Sequence, residues 1–182
     1  MSWHSKLMWH TTARSRAIAN IKIDNIDRKE GEILIENLKS GKDEAPYRTV
    51  VYPPDRIDPL LTEWLDRGKR EGLGPYSDDS SYLFLTHQSE QLRAERLSRK
   101  VKWAAQDAGI NEKIGTDARG KTRWKVTAHT IRHSAITWLA NETDVPLHLV
   151  KRQAGHSKYE TTLSYVHEDD EAFKRELNKA WE

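Results

Sequence analysis

The chain predicts a mostly α fold with a small antiparallel β-sheet (α+β), and three observations carry that expectation. Apolar residues recur at helical spacing over much of the sequence, with capping signals at the ends of the stripes. Two short runs rich in Ile, Leu and Val, 32–36 and 48–52, flank a polar Lys39-Ser40-Gly41-Lys42 turn, the pattern of a hairpin with a long tip. The length of 182 residues suits one domain and leaves little room for a second.

The elements follow in order. The first helix is expected to run to about residue 20, because Thr12-Ala13-Arg14-Ser15-Arg16-Ala17-Ile18-Ala19 contains no breaker. The hairpin comes next. Asp58-Pro59 then starts a helix, a capping side chain followed by a proline in the first turn, with Leu60, Leu61, Trp64 and Leu65 on its core face. Gly72, Gly74 and Pro75 open a loop, and 82–85 reads as a short extended piece. Leu97, Val101, Ala104, Ala105 and Ala108 mark one face of a further helix that Gly109 ends, while Arg96, Arg99, Lys100 and Trp103 mark the other. Residues 110–126 read as a basic loop or hairpin.

Thr127 caps a helix whose apolar stripe is Ile131, Ala135, Trp138 and Leu139. Asp144-Val145-Pro146 starts another, with Leu147, Val150 and Ala154 inward and Gly155 as its stop. Ser157-Lys158-Tyr159-Glu160 has the form of a capping box, so a helix is expected over about 158–166. A last helix, 170–181, presents Phe173, Leu177, Ala180 and Trp181 on one side.

Composition narrows the function classes. Hydrophobic residues make up 36% and charged residues 32%, with a mean hydropathy of −0.85, so the chain is polar but foldable. Seven Trp and six Tyr supply bulk that the aliphatic residues alone would not. No apolar run approaches the ~20 residues of a membrane span, and the N-terminus lacks the order of a signal peptide. A cytoplasmic protein without membrane contact is expected. The absence of cysteine excludes disulfides and thiolate chemistry. Net charge is only +2, but 93–125 holds ten Lys and Arg against four acids, a net of +6. Such a block suits either a phosphate-binding face or a solvated surface. The stretch 166–182 is acidic, with a net of −3.

The chemistry-bearing residues cluster late in the chain. At helical spacing His129, Arg132 and His133 share one face, expected roughly opposite the apolar stripe. Gly155-His156 lies where one helix stops and the next begins, and Tyr165 follows His156 by nine residues. Each piece alone is common by chance. Their order, HxxRH, then Gly-His, then Tyr, is far more specific.

That order resembles the second conserved box of the tyrosine recombinase (phage integrase) family, HxxRH…(L)GH…Y. Residues 11–22 resemble the family's TGLRxSELxxLxW segment, and Lys39-Ser40-Gly41-Lys42 with Arg48-Thr49-Val50 resembles its K-x-G-K…R-x-V-P hairpin. The likeness runs from about residue 8 to residue 170. It implies the tyrosine recombinase catalytic-domain (DNA breaking-rejoining) fold and strand exchange on double-stranded DNA. Arg14 and Arg132 would clamp the non-bridging oxygens of the scissile phosphate, and Tyr165 would attack it, leaving a 3′-phosphotyrosyl enzyme. His129 would help remove the phenol proton, His156 would hydrogen-bond a phosphate oxygen, and Lys39 would protonate the departing 5′-oxygen. The covalent link stores the energy of the broken bond, so no metal, nucleotide or other cofactor is expected. Arg96, Arg99, Lys100, Lys121, Arg123 and Lys125 are the candidate DNA-backbone contacts. The family also implies a tetrameric synapse on DNA, with the helix at 170–181 as the element that docks on a neighbouring subunit or packs on its own domain.

Three departures stand out. Thr12 occupies a position where the family has glycine, and Ala17 one where it has glutamate. The family's N-terminal core-binding domain is absent from these 182 residues, so they are expected to form a single catalytic domain that grips DNA weakly by itself. Two other readings stay open: a non-catalytic, DNA-binding or regulatory relative, and a zinc-dependent hydrolase using His129 and His133, which share the spacing of HExxH sites but lack the glutamate.

Overall fold

A computed structural model of the chain describes residues 2–37 and 45–166. Lys39 and the expected helix at 170–181 lie outside these residues.

The first helix is broken in two. α1 (Trp3–Thr11) and α2 (Ser15–Ala19) are separated by Thr12, whose backbone is left-handed at φ 52°, ψ 17°. The continuous helix expected from the lack of a breaker is therefore wrong. A β-branched residue disfavours this conformation, so something outside the segment holds it. Thr12 is fully buried, and its Oγ1 donates to the Gln153 carbonyl at 3.0 Å.

The sheet follows. β1 (Ile26–Asp27), β2 (Glu32–Glu36) and β3 (Tyr47–Val51) form an antiparallel sheet in that order, with Ile33 opposite Val50 and Ile35 opposite Arg48. Ile33, Ile35 and Val50 are buried, so the alternation of the strands puts Arg48 on the core-facing side. α3 (Pro54–Leu61) begins four residues before the expected Asp58-Pro59 start. Pro54 takes the first helical position, Pro59 lies inside the helix, and a π-helical turn (Thr62–Asp66) follows. Asp58 accepts instead from the buried Tyr52 hydroxyl at 3.0 Å. Ile57 and Leu61 carry the buried face, with Leu60, Trp64 and Leu65 packed partly against it.

In the loop beyond, the buried Arg70 donates to the carbonyls of Ser77, at 2.6 Å, and Tyr82, at 3.0 Å. The guanidinium thus supplies the donors that a loop without regular structure lacks. Leu83, Phe84 and Leu85 are buried as the extended piece requires. α4 (Ala94–Asp107) packs Leu97, Val101 and Ala105 inward, and β4 (Lys113–Thr116) pairs with β5 (Thr122–Trp124) as the expected hairpin.

α5 (Ala128–Asn141) starts at the predicted cap: Thr127 and Thr130 form a reciprocal capping box. Its buried side differs from expectation. Ala128, Ile131, Arg132, Ala135 and Ile136 are buried, whereas Trp138 is 45% exposed with its ring 6.0 Å from that of Trp9. The inward stripe therefore passes through Arg132, which does not lie with His129 and His133 on an exposed face. α6 (Leu147–Ala154) ends at Gly155 in the left-handed conformation, φ 65°. α7 (Glu160–Leu163) is a single turn without a side-chain cap, so the expected capping box at Ser157 does not form. The main core joins α1, α2, the sheet, α3 and α4, while a smaller cluster of Ile136, Val150 and Ala154 carries Leu139 and Tyr165 at its edge.

Candidate active site

The site is assembled where four separate segments meet: the break after α1, strand β3, the buried side of α5 and the end of α6. The last carbonyls of α6 are its anchor. They project from the negative end of a helix and have no partners within it. Arg48 donates from Nη1 to the Gln153 carbonyl at 2.8 Å and from Nη2 to the Ala154 carbonyl at 3.2 Å. Arg132 donates from Nη2 to the Ala154 carbonyl at 2.9 Å and from Nη1 to the Thr12 carbonyl. The left-handed turn at Thr12 is what aims that carbonyl inward. The glycine expected there by family likeness would reach the same conformation without the side-chain bond.

Arg132 is only 3% exposed, and its Nη2 lies 3.2 Å from Nε2 of His156. Because a guanidinium can only donate, Nε2 must accept, which leaves the ring proton on Nδ1. Nδ1 is 3.0 Å from the Thr162 hydroxyl, so Nδ1–H donates to Thr162 Oγ1. Both ring nitrogens of His156 are thus engaged within the chain. Burial first, and then the charges of Arg132, Arg14, Arg48 and Lys151, push the His156 imidazole down to about 4. Burial likewise holds Arg132 and Arg48 down to about 10, reinforced by Arg14 in each case. Among the described residues, no carboxylate acts on these three side chains. Ala17, where family likeness expects an acid, sits in the hydrophobic core at 3% exposure.

Tyr165 closes the site. Its ring stacks on His156 with centroids 5.7 Å apart and meets His133 edge-on at 4.8 Å. Asn141 Nδ2 donates to its carbonyl at 2.8 Å, tying this segment back to α5.

Of the six expected site residues, Arg14, Arg132, His156 and Tyr165 come together. Arg14 flanks the start of α2, half-buried, with no side-chain hydrogen bond to another described residue. His129 is exposed on the first turn of α5, and among the described residues no bond or ring contact joins it to the rest. The α5 imidazole beside Tyr165 is that of His133. Sequence reasoning also passed over Arg48 as a site residue, although an arginine on the buried side of a strand is an unusual placement.

The six candidate DNA contacts are all exposed. Arg99 lies 5.9 Å over the Trp103 ring, Lys102 lies 5.2 Å over Trp124, and Lys125 pairs with Glu112 at 2.6 Å. A polar cavity beside the site is lined by His148, Lys151, Arg152, Gly155, His156 and Ser157, among others. Among the described residues, no three His, Cys, Asp or Glu side chains gather to hold a metal, and no helix is long and apolar enough to cross a membrane.

Comparison with known proteins bears on the family and the fold. The phage integrase family pattern matches residues 4–172. A probable integrase/recombinase protein of Methanocaldococcus jannaschii is 31% identical over 96% of this chain and 47% of its own length. The tyrosine recombinase XerA of Pyrococcus furiosus is 29% identical over 96% of this chain and 52% of its own length. The chain therefore spans about half the length of the curated relatives it matches. Among solved structures, the XerH site-specific recombinase bound to its difH substrate superposes with a TM-score of 0.73 at 27% identity, over 99% of this chain and 46% of that one. The fold is that of the tyrosine recombinase catalytic domain, and the chain belongs to the phage integrase family.

Proposed function

We propose that this chain carries the strand-cleaving site of a site-specific DNA recombinase working through a 3′-phosphotyrosyl intermediate. One observation carries the reading: a buried guanidinium, Arg132, held by carbonyls and His156 with the charges of Arg14 and Arg48 acting on it, and the Tyr165 ring stacked on His156 at its edge. Such a pocket suits an anion, and the tyrosine supplies a nucleophile.

Arg14 and the unused donors of Arg132 face the non-bridging phosphate oxygens, where fixed positive charge stabilises the crowded transition state more than the ground state. The Tyr165 oxygen attacks phosphorus as the bond to the 5′-oxygen breaks. Its proton passes to an imidazole of α5, which family likeness assigns to His129. The 5′-oxygen takes a proton from Lys39, and reversal of the same step by a 5′-hydroxyl rejoins the strand. His156 keeps Arg132 aimed through an accepting Nε2, and it donates to a phosphate oxygen only once that nitrogen has released Arg132 and taken up a proton. The DNA backbone follows the exposed basic residues of α4 and the β4–β5 hairpin. Chemistry of this kind places the protein with the chromosome in the cytoplasm and takes a second recombinase copy at each exchanged site.

The test uses a DNA substrate nicked near the cleavage position, drawn from the flanks of the gene's own locus, with EDTA throughout. Wild-type protein should leave a covalent protein–DNA band on a denaturing gel, and Tyr165→Phe should not. A band that survives Tyr165→Phe rejects the nucleophile. Binding without any band favours a non-catalytic relative.

A further inference from the structure

Arg48 is the one guanidinium of the cluster to which the proposed chemistry gives no part. It reaches the cluster from β3, on the core-facing side of the strand shared by Ile33, Ile35 and Val50. Its two terminal nitrogens take the last two carbonyls of α6. The guanidinium also lies against the backbone of Gly155: a methyl group added there would sit 2.6 Å from Cζ and 2.9 Å from Nη2 of Arg48. Gly155 is therefore required twice, for its left-handed backbone and for the room it leaves.

We infer that Arg48 is a positioning residue of the phosphate site, fixing the Gly155–His156 junction and adding a third fixed positive charge to the anion cradle. The inference rests on the phosphate reading given above. A strap between β3 and α6 alone would be served by a neutral donor; the charge needs another reason. Arg48 acts on Arg132 and His156, and Arg14 acts on Arg48, always as like charge and, among the described residues, with no acid between them. Gathering three guanidiniums in this way opposes folding of the empty chain. A bound oxyanion turns the same repulsion into attraction, and each charged hydrogen bond it gains is worth roughly tenfold in affinity.

Inorganic phosphate is the probe, titrated at constant ionic strength against wild type, Arg132→Lys, Arg48→Met and Arg48→Lys. Two readouts are followed: the phosphate-dependent rise in Tm, and the ring-nitrogen NMR signals of His156, which report its Nδ1–H form. Arg48→Met should weaken phosphate by roughly tenfold. Arg48→Lys should keep most of the affinity, since charge remains, but its His156 signals should lose the single-tautomer signature because the fork on the α6 carbonyls is gone. Phosphate affinity unchanged in Arg48→Met overturns the charge role. An unchanged His156 signature in Arg48→Lys overturns the positioning role, and this variant decides the matter if Arg48→Met does not fold. No phosphate response in wild type, or an undiminished one in Arg132→Lys, would sink the phosphate reading itself.

Discussion

The chain holds two concentrations of positive charge that differ in every physical respect. In one, the buried Arg132 and the half-buried Arg48 commit terminal nitrogens to the carbonyls of Thr12, Gln153 and Ala154. In the other, Arg96, Arg99, Lys121 and Arg123 stand in solvent on α4 and the β4–β5 hairpin, held by little more than a ring contact such as that of Arg99 with Trp103. Buried charge in fixed geometry acts at one point and strongly. Solvated charge on flexible stems acts over a distance, weakly per residue, and is screened by salt. The first arrangement is what bond-breaking at a single phosphate needs, and the second is what gripping a long polyanion needs.

The sharpest way to break that contrast is the same conservative swap in both places. Arg132→Lys keeps the charge but cannot serve the Thr12 and Ala154 carbonyls and His156 at once. A buried carbonyl left without a donor costs about 1–3 kcal/mol. Loss of one preorganised donor lowers the cleavage rate by about 10²–10³. Arg99→Lys, by the same substitution, should leave Tm and cleavage rate within error. Suicide-substrate kinetics and thermal melts on the two variants check both halves. Equal behaviour would erase the distinction between the regions.

The next effect is on stability with pH. His156 in the buried cluster is held near 4, and His4, packed on Phe84 and chiefly affected by its own burial, is held near 4 as well. An unfolded histidine titrates near 6.5. Below that value the unfolded chain binds protons that the folded chain refuses, so stability must fall as the pH drops from about 6.5 toward 4, where folded-state protonation ends the loss. Shifts of this size correspond to a few kcal/mol at most, on the order of 3 for each histidine. Denaturant midpoints measured across this window should show the decline, and His156→Gln should remove part of the slope. A slope untouched by that change would mean His156 is protonated with its neighbours in place.

The two regions also differ in how readable they are from sequence. The basic block is visible from composition alone, because exposed charge leaves its mark on any window of sequence. The capped start of α5, the end of α6 at Gly155 and the strands β2 and β3 are also legible, since each rests on local pattern. The buried site is legible only in its identities. That Arg132 faces inward is not, because the apolar stripe read from spacing runs through Trp138, a large side chain that emerges at the rim against Trp9. The break at Thr12 is hidden as well: its cause is the Gln153 carbonyl, 141 residues away. Arg48 draws attention only through family likeness, and His133 rather than His129 meeting Tyr165 follows from where α7 ends, not from helical spacing. Interactions between distant segments decide these points, and local propensity carries no record of them.

The smallest effects belong to the exposed block, and they are the most diagnostic of what it does. Arg96→Ala, Arg99→Ala and Arg123→Ala touch no buried partner, so each should change folding stability by no more than about 0.5 kcal/mol. If these side chains neutralise DNA phosphates, removing any one of them should reduce the slope of log K against log salt by about 0.9. The cleavage rate at saturating DNA should stay unchanged, since none of them reaches the scissile phosphate. Lys125 offers an internal control, because its ammonium is already shared with Glu112 at 2.6 Å. Releasing that exposed pair costs only about 0.2–1 kcal/mol, so Lys125→Ala should lower the slope by less than Arg99→Ala does. Fluorescence anisotropy on a short duplex at several salt concentrations gives each slope. A block whose variants bind DNA with an unaltered slope is solvated surface, and the backbone track would then have to be sought at Lys151 and Arg152, beside the cavity that opens onto His156.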